Sequence, residues 1–204
     1  MTRIAARVLW QAVSRFHLAP LASAPRVAAG NLYGTTSVGG VYGFGVVFKL
    51  SKTGEETILH SFAGNPSDGE GPYGGLIRDA TGNFYGTTVS GGSECLCGTV
   101  FEVDTAGSET VLYSFSPSDG YYPTRGLVRD AEGNLFGTTS SGGSSDGGTV
   151  FEVSMTGNET VLYDFLQEGH NPEGGLVQDS LGNLYGTASG GGSGGHGVVF
   201  KLTP

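Results

Sequence analysis

One phrase of seven residues occurs four times in this chain: Gly-Asn-Leu-Tyr-Gly-Thr-Thr from Gly30, Gly-Asn-Phe-Tyr-Gly-Thr-Thr from Gly82, Gly-Asn-Leu-Phe-Gly-Thr-Thr from Gly133 and Gly-Asn-Leu-Tyr-Gly-Thr-Ala from Gly182. The copies begin 52, 51 and 49 residues apart. A fixed period of this size means one supersecondary unit copied in tandem, and each copy must solve the same packing problem with the same residues. That constraint outranks any local propensity.

The unit extends beyond the phrase. A glycine pair follows each copy, and then an apolar run such as Gly98-Thr99-Val100-Phe101-Glu102-Val103. A turn glycine at Gly54, Gly107 or Gly157 leads into a second run, of which Thr110-Val111-Leu112-Tyr113-Ser114-Phe115 is the clearest. A proline-led segment ending in Gly126-Leu127-Val128-Arg129-Asp130 or its equivalents closes the unit. These runs are short, rich in Val, Thr, Phe and Tyr, and bounded by Gly, Asn and Asp, which predicts strands rather than helices. Segments such as Asp79-Ala80-Thr81-Gly82-Asn83 suit tight hairpins. Four strands per period, A (Leu-Ile-Arg-Asp), B (Tyr-Gly-Thr-Thr), C (Val-Phe-Glu-Val) and D (Val-Leu-Tyr-Ser-Phe), predict an all-β chain: a β-propeller of about four four-stranded antiparallel blades. A fragment of a larger propeller and a β-solenoid are the alternatives, though solenoid coils are usually shorter and their strands run parallel.

From Gly30 to Leu202 the pattern resembles the gloeo/verruco ("GloVer") tandem repeat of bacterial proteins. The resemblance implies a secreted or surface-displayed propeller-like array. It implies no established reaction and no catalytic residues. The Asp-x-x-Gly-Asn-x-Tyr turn is also similar to strand pairs of other bacterial propeller repeats.

Residues 30–204 form the expected repeat domain, and residues 1–29 an N-terminal segment with three open readings. Val8-Leu9-Trp10 precedes Gly30 by the same 22 residues that separate Val111-Leu112-Tyr113 from Gly133, and Pro20 matches Pro123 at ten. Residues 7–12 and 23–28 therefore read as degenerate D and A strands, with 7–12 pairing alongside 197–202 and so closing an exposed edge. Alternatively Ile4, Val8, Leu9, Ala12, Val13 and Phe16 share a helical face, or Ala22-Ser23-Ala24 marks the remnant of an export signal.

The net charge of −9, with ten scattered Lys and Arg, argues against nucleic acid and anionic membranes as partners. No apolar run is long enough for a spanning helix. Cys95 and Cys97 lie one residue apart in the second B–C loop, and that spacing reads as an exposed thiol pair rather than a disulfide. Gly191-Gly192-Ser193-Gly194-Gly195 matches a nucleophile-elbow pattern only formally, because no strand-to-helix turn surrounds it. No cofactor is implied.

Departures from repetition point to a site. In a propeller the B–C and D–A loops share a face. Counted back from Pro72, Pro123 and Pro172, the residues Asp68, Asp119 and Glu168 fill one slot. Three carboxylates on one face could hold calcium or sugar hydroxyls, with Tyr121, Tyr122 and His170 as stacking partners; the same Asp-Gly pairs also serve as plain turns. The leading reading of function is a non-catalytic extracellular or cell-surface module that binds a glycan, peptide or cell-wall partner through this face. A structural spacer is the second reading. A carbohydrate-active hydrolase or lyase is the third, disfavoured because acids recurring once per unit fit a symmetric ring better than an acid–base pair.

Overall fold

The computed structural model describes residues 30–93, 95–166 and 170–204. The expected strands at 7–12 and 23–28, and the pairing of 7–12 with 197–202, lie outside those residues. Among the described residues every regular element is a strand. Sheet 1 is β1 (Leu32–Thr36), β2 (Val46–Leu50) and β3 (Glu56–Ser61). A two-residue strand, β4 (Gly69–Glu70), leads to sheet 2, made of β5 (Ile77–Arg78), β6 (Phe84–Thr88), β8 (Thr99–Val103) and β9 (Glu109–Ser114), with the short β7 (Ser90–Gly91) in its B–C loop. Sheet 3 is β10 (Val128–Arg129), β11 (Leu135–Thr139), β12 (Thr149–Val153) and β13 (Glu159–Asp164). Sheet 4 is β14 (Val177–Gln178), β15 (Leu184–Ala188) and β16 (Val198–Leu202). All pairings between these named strands are antiparallel; within each of the four sheets the strands follow chain order, and β4 pairs with β7 outside them.

The repeated phrase explains the packing. Gly34, Gly86, Gly137 and Gly186 sit directly opposite Phe48, Phe101, Phe151 and Phe200 across the B–C strand pair. The phenyl ring lies over the glycine, so a Cβ on Gly86 would stand 2.7 Å from Phe101 Cζ. This glycine provides space; the aromatic ring covers what would otherwise be bare backbone. Val100 and Phe101, consecutive on their strand, point to opposite faces; a register shift against strand D, which skips Leu112, falls between them and recurs at Val47/Phe48 and Val150/Phe151. Val100 joins the cluster with Phe115, Leu127, Leu135 and Phe151, between sheets 2 and 3. Phe101 joins Val47, Phe62, Leu76 and Phe84, between sheets 1 and 2. Phe136, Val150, Phe165 and Leu184 form the corresponding layer between sheets 3 and 4.

At each seam the phenylalanine after strand D meets the next sheet's strand-C phenylalanine edge-on: Phe62–Phe101 at 5.1 Å, Phe115–Phe151 at 4.9 Å and Phe165–Phe200 at 5.2 Å. Such pairs contribute about 0.5–1.5 kcal/mol each beyond area burial. A polar clasp repeats beside them. The hydroxyls of Thr35 and Thr87 donate to the carbonyls of Gly74 and Arg125 in the next sheet, at 3.1 and 3.0 Å, and Thr138 to Gly174 at 3.5 Å. The A–B turns are held by aspartate: Asp79 accepts from Gly82 N and Asn83 N, Asp130 from Gly133 N and Asn134 N, and Asp179 from Leu181 N and Asn183 N. Those bonds, led by the Asn183 side chain, hold the Asp179 carboxyl down to about 2.

Candidate functional site

Three D–A loops end in a common frame. Gly71, Tyr122 and Asn171, each just before a proline, take left-handed backbone with φ of 64°, 58° and 55°. Each donates its N–H into the preceding B–C loop, to Phe44 O, Cys97 O and Gly147 O. Each carbonyl in turn accepts from the next B–C loop, from Val89 N, Ser140 N and Ser189 N. Glycine and asparagine suit positive φ, whereas a bulky residue is strained there by about 1–3 kcal/mol. Only in the second frame does a large side chain take the position.

That side chain lines a cleft of about 450 Å³ together with Tyr73, Val89, Thr124, Arg125, Ser140 and Glu173. Tyr73 and Tyr122 are each 48% exposed, so both rings offer surface to a ligand. The Arg125 guanidinium donates from Nε to the Glu173 carbonyl, which ties the entry of sheet 3 to that of sheet 4. The Tyr122 carbonyl also accepts from Ser140 Oγ at 3.2 Å. Tyr121 packs edge-on against Tyr122 at 4.9 Å, and its hydroxyl donates to Asp146 at 2.7 Å. That hydrogen bond raises the phenol's pKa and lowers that of Asp146. The cleft thus combines two half-exposed aromatic rings with a cationic residue, an acidic residue and hydroxyl-bearing residues.

The acidic slot lies elsewhere. Asp68 accepts from Ala63 N at 2.7 Å and Gly69 N at 2.6 Å and meets His60 Nε2 at 3.4 Å. Asp119 accepts from Ser116 N at 2.7 Å and from the Tyr113 hydroxyl at 2.5 Å. Both carboxylates are turned into their own loops, and neither lines the cleft. Each faces a glutamate of the following sheet: Asp68 faces Glu109 and Asp119 faces Glu159. Burial, then the neighbouring aspartate, pushes both glutamates up to about 7, and neither Oε1 has a hydrogen-bond partner. Asp68 is held below the usual carboxylate range: its own burial opposes this, but His60 and two backbone N–H groups outweigh it. Glu168 lies outside the described residues, and the His170 ring sits over Gly190, away from the cleft lining.

Of the six residues singled out in the sequence, the structure brings Tyr122 to the cleft with Tyr121 behind it. Tyr73, Arg125 and Glu173 escaped sequence reading. Their signal was present in Pro72-Tyr73-Gly74, Pro123-Thr124-Arg125 and Pro172-Glu173-Gly174, where the residues after each proline break the repeat. The thiol-pair expectation is corrected: Cys95 and Cys97 form a disulfide, with Cα atoms 5.2 Å apart and Cys97 buried. The reason is local backbone. Leu96 takes φ 54°, which turns the two Cβ vectors together instead of splaying them along an extended chain.

A family model described as the Gloeobacter/Verrucomicrobia repeat matches residues 20–204. No curated protein matches the chain. Among solved structures, a gluconolactonase from Xanthomonas campestris is similar at TM-score 0.50 and 16% identity, covering 89% of this chain and 56% of its own. A second, described provisionally as a gluconolactonase, gives TM-score 0.49 and 18% identity over 93% of this chain and 63% of its own. The chain therefore spans less than two thirds of the length of either structure. At these identities the likeness concerns fold alone.

Proposed function

We propose that this chain, which belongs to the Gloeobacter/Verrucomicrobia repeat family, is a non-catalytic, secreted or surface-displayed binding module. Its successive sheets act as propeller blades, and a glycan segment lies in the cleft of the B–C and D–A loop face. The observation that carries this reading is Tyr122, a half-exposed aromatic residue at φ 58° in a slot that the neighbouring copies fill with glycine and asparagine. Strain of this kind persists where a side chain is needed in one place. Tyr73 and Tyr122 present apolar ring faces suited to the C–H faces of a sugar, and Arg125, Glu173, Thr124 and Ser140 supply donors and acceptors for its hydroxyls. Among the described residues one acidic residue, Glu173, lines the cleft, whereas glycoside hydrolysis uses two carboxylates at a set separation; this favours binding over turnover. The Cys95–Cys97 disulfide fits an oxidising compartment.

Titration calorimetry against a glycan series, with wild type and Tyr122→Asn, tests the reading. Asparagine already occupies this backbone slot at Asn171, so the variant should keep its melting temperature within a few degrees and lose at least tenfold in affinity. Equal affinity in wild type and variant, or no glycan bound by wild type up to the millimolar range, would overturn it.

A further inference from the structure

The seam between sheets 1 and 2 gathers His60 from β3, Asp68 from the following loop and Glu109 from β9. One ligand atom of each lies within 4.8 Å of the other two. We propose that these three side chains form a divalent-cation site of the zinc class, with water as fourth ligand, which staples the first repeat to the second. It is independent of the cleft.

Three observations carry it. First, the spacing fits. Ligand atoms about 2.0–2.1 Å from a tetrahedral ion stand roughly 3.3 Å apart, and His60 Nε2 to Asp68 Oδ1 is 3.4 Å. Glu109, on a flexible side chain, needs to close only part of its remaining distance. Second, Glu109 Oε1 is shut off from solvent and has no hydrogen-bond partner, although a buried carboxylate oxygen normally has one; Glu159 Oε1 at the next seam shares this, but among the described residues only at the first seam does an imidazole stand with the two carboxylates. Both Asp68 oxygens already accept backbone N–H groups and keep lone pairs free for an ion. Third, the repeat supplies an internal comparison. The next seam has the same aspartate and glutamate, Asp119 and Glu159, but Tyr113 in the histidine slot, and its hydroxyl donates to Asp119. A neutral phenol suits hydrogen bonding, whereas imidazole with two carboxylates is a ligand set for zinc, cobalt or nickel. The first seam departs from the repeat at the one residue that converts a hydrogen-bonded pair into a chelating triad.

The test uses the full chain stripped with chelator and titrated with Zn2+, then with Co2+ as a spectroscopic probe. We expect one ion per chain, a melting temperature that rises with ion concentration because only the folded state assembles the triad, and cobalt absorption of tetrahedral intensity. His60→Tyr copies the neighbouring seam, so it should fold and lose both signals. Glu109→Gln should weaken binding at least tenfold. Tyr113→His should add a second ion at Asp119 and Glu159. Absence of any zinc-dependent shift at micromolar concentrations, or a shift that persists unchanged in both His60→Tyr and Glu109→Gln, would overturn the site.

Discussion

Glu159 tests the physics of the second seam. Its carboxyl titrates at about 7 in the folded chain against 4.5 for the free group, because burial and then the Asp119 carboxylate disfavour its charge. Below pH 4.5 the group is protonated in both states and affects stability little. Between 4.5 and 7 the folded chain binds the proton more tightly, so stability falls as pH rises, and above 7 the loss is complete. A difference of about 2.5 pH units sets a ceiling of about 3.4 kcal/mol, at 1.36 kcal/mol per unit. Oε1 is sealed but the residue is only part-buried. Solvent screening therefore reduces the expected loss to about 1–2 kcal/mol. Glu159→Gln keeps the shape and removes the charge. It should match wild type at pH 4 and exceed it by about 1–2 kcal/mol at pH 8, or about 2–8 °C in melting temperature for a domain of this size. Urea unfolding at half-unit pH steps measures the difference between variant and wild type, which cancels the common contribution of Glu109. Parallel stability curves from pH 4 to 8 would show that Glu159 ionises freely and would refute the argument.

Gly86→Ala should destabilise by about 1–3 kcal/mol in thermal melts, as overpacking does, because the new methyl group meets Phe101 at 2.7 Å and Leu76 at 3.1 Å. The exposed edge should accept residues 7–12. The 22-residue offset places Trp10 opposite Val199, as Tyr113 lies opposite Val100, so Trp10→Cys with Val199→Cys should cross-link on oxidation, with peptide mapping as the readout.

Much of the fold was legible because each constraint recurs. The strand runs, their hairpin pairing and the A–B turns all follow from a unit that must pack four times. The glycine inside Tyr-Gly-Thr was visible as a letter but not as a reason, because the reason is a ring arriving from 15 residues further on, Phe101 over Gly86. The seam triad was illegible for a similar cause. His60 and Glu109 are 49 residues apart and belong to different units, so only the packing of one sheet on the next brings them together. The slot shared by Asp68, Asp119 and Glu168 does not reveal the local N–H donors, through which Asp68 and Asp119 also cap their own loops. An Asp-Gly pair does this readily, since the carboxylate reaches backbone amides a few residues away.

In a tandem repeat the fold and the function separate by position. Any residue required by the fold is required in every copy, so agreement between copies measures architecture. Gly71, Tyr122 and Asn171 show the converse. Their φ angles agree within 9° and their hydrogen-bond partners are equivalent, so the frame demands only a residue tolerant of positive φ, which glycine and asparagine meet with less strain than tyrosine. The backbone demand of this frame does not by itself call for tyrosine at 122. The same holds at the seams, where Tyr113 completes a hydrogen bond to Asp119 and His60 stands 3.4 Å from Asp68. Tyrosine in the second copy completes a hydrogen bond to aspartate, so the slot itself does not call for histidine in the first copy. Strain and donor chemistry present in one copy and absent from its equivalents are what remain after the demands of the repeat have been met, and in this chain they include Tyr122 at the cleft, His60 at the first seam and Leu96 between the two cysteines.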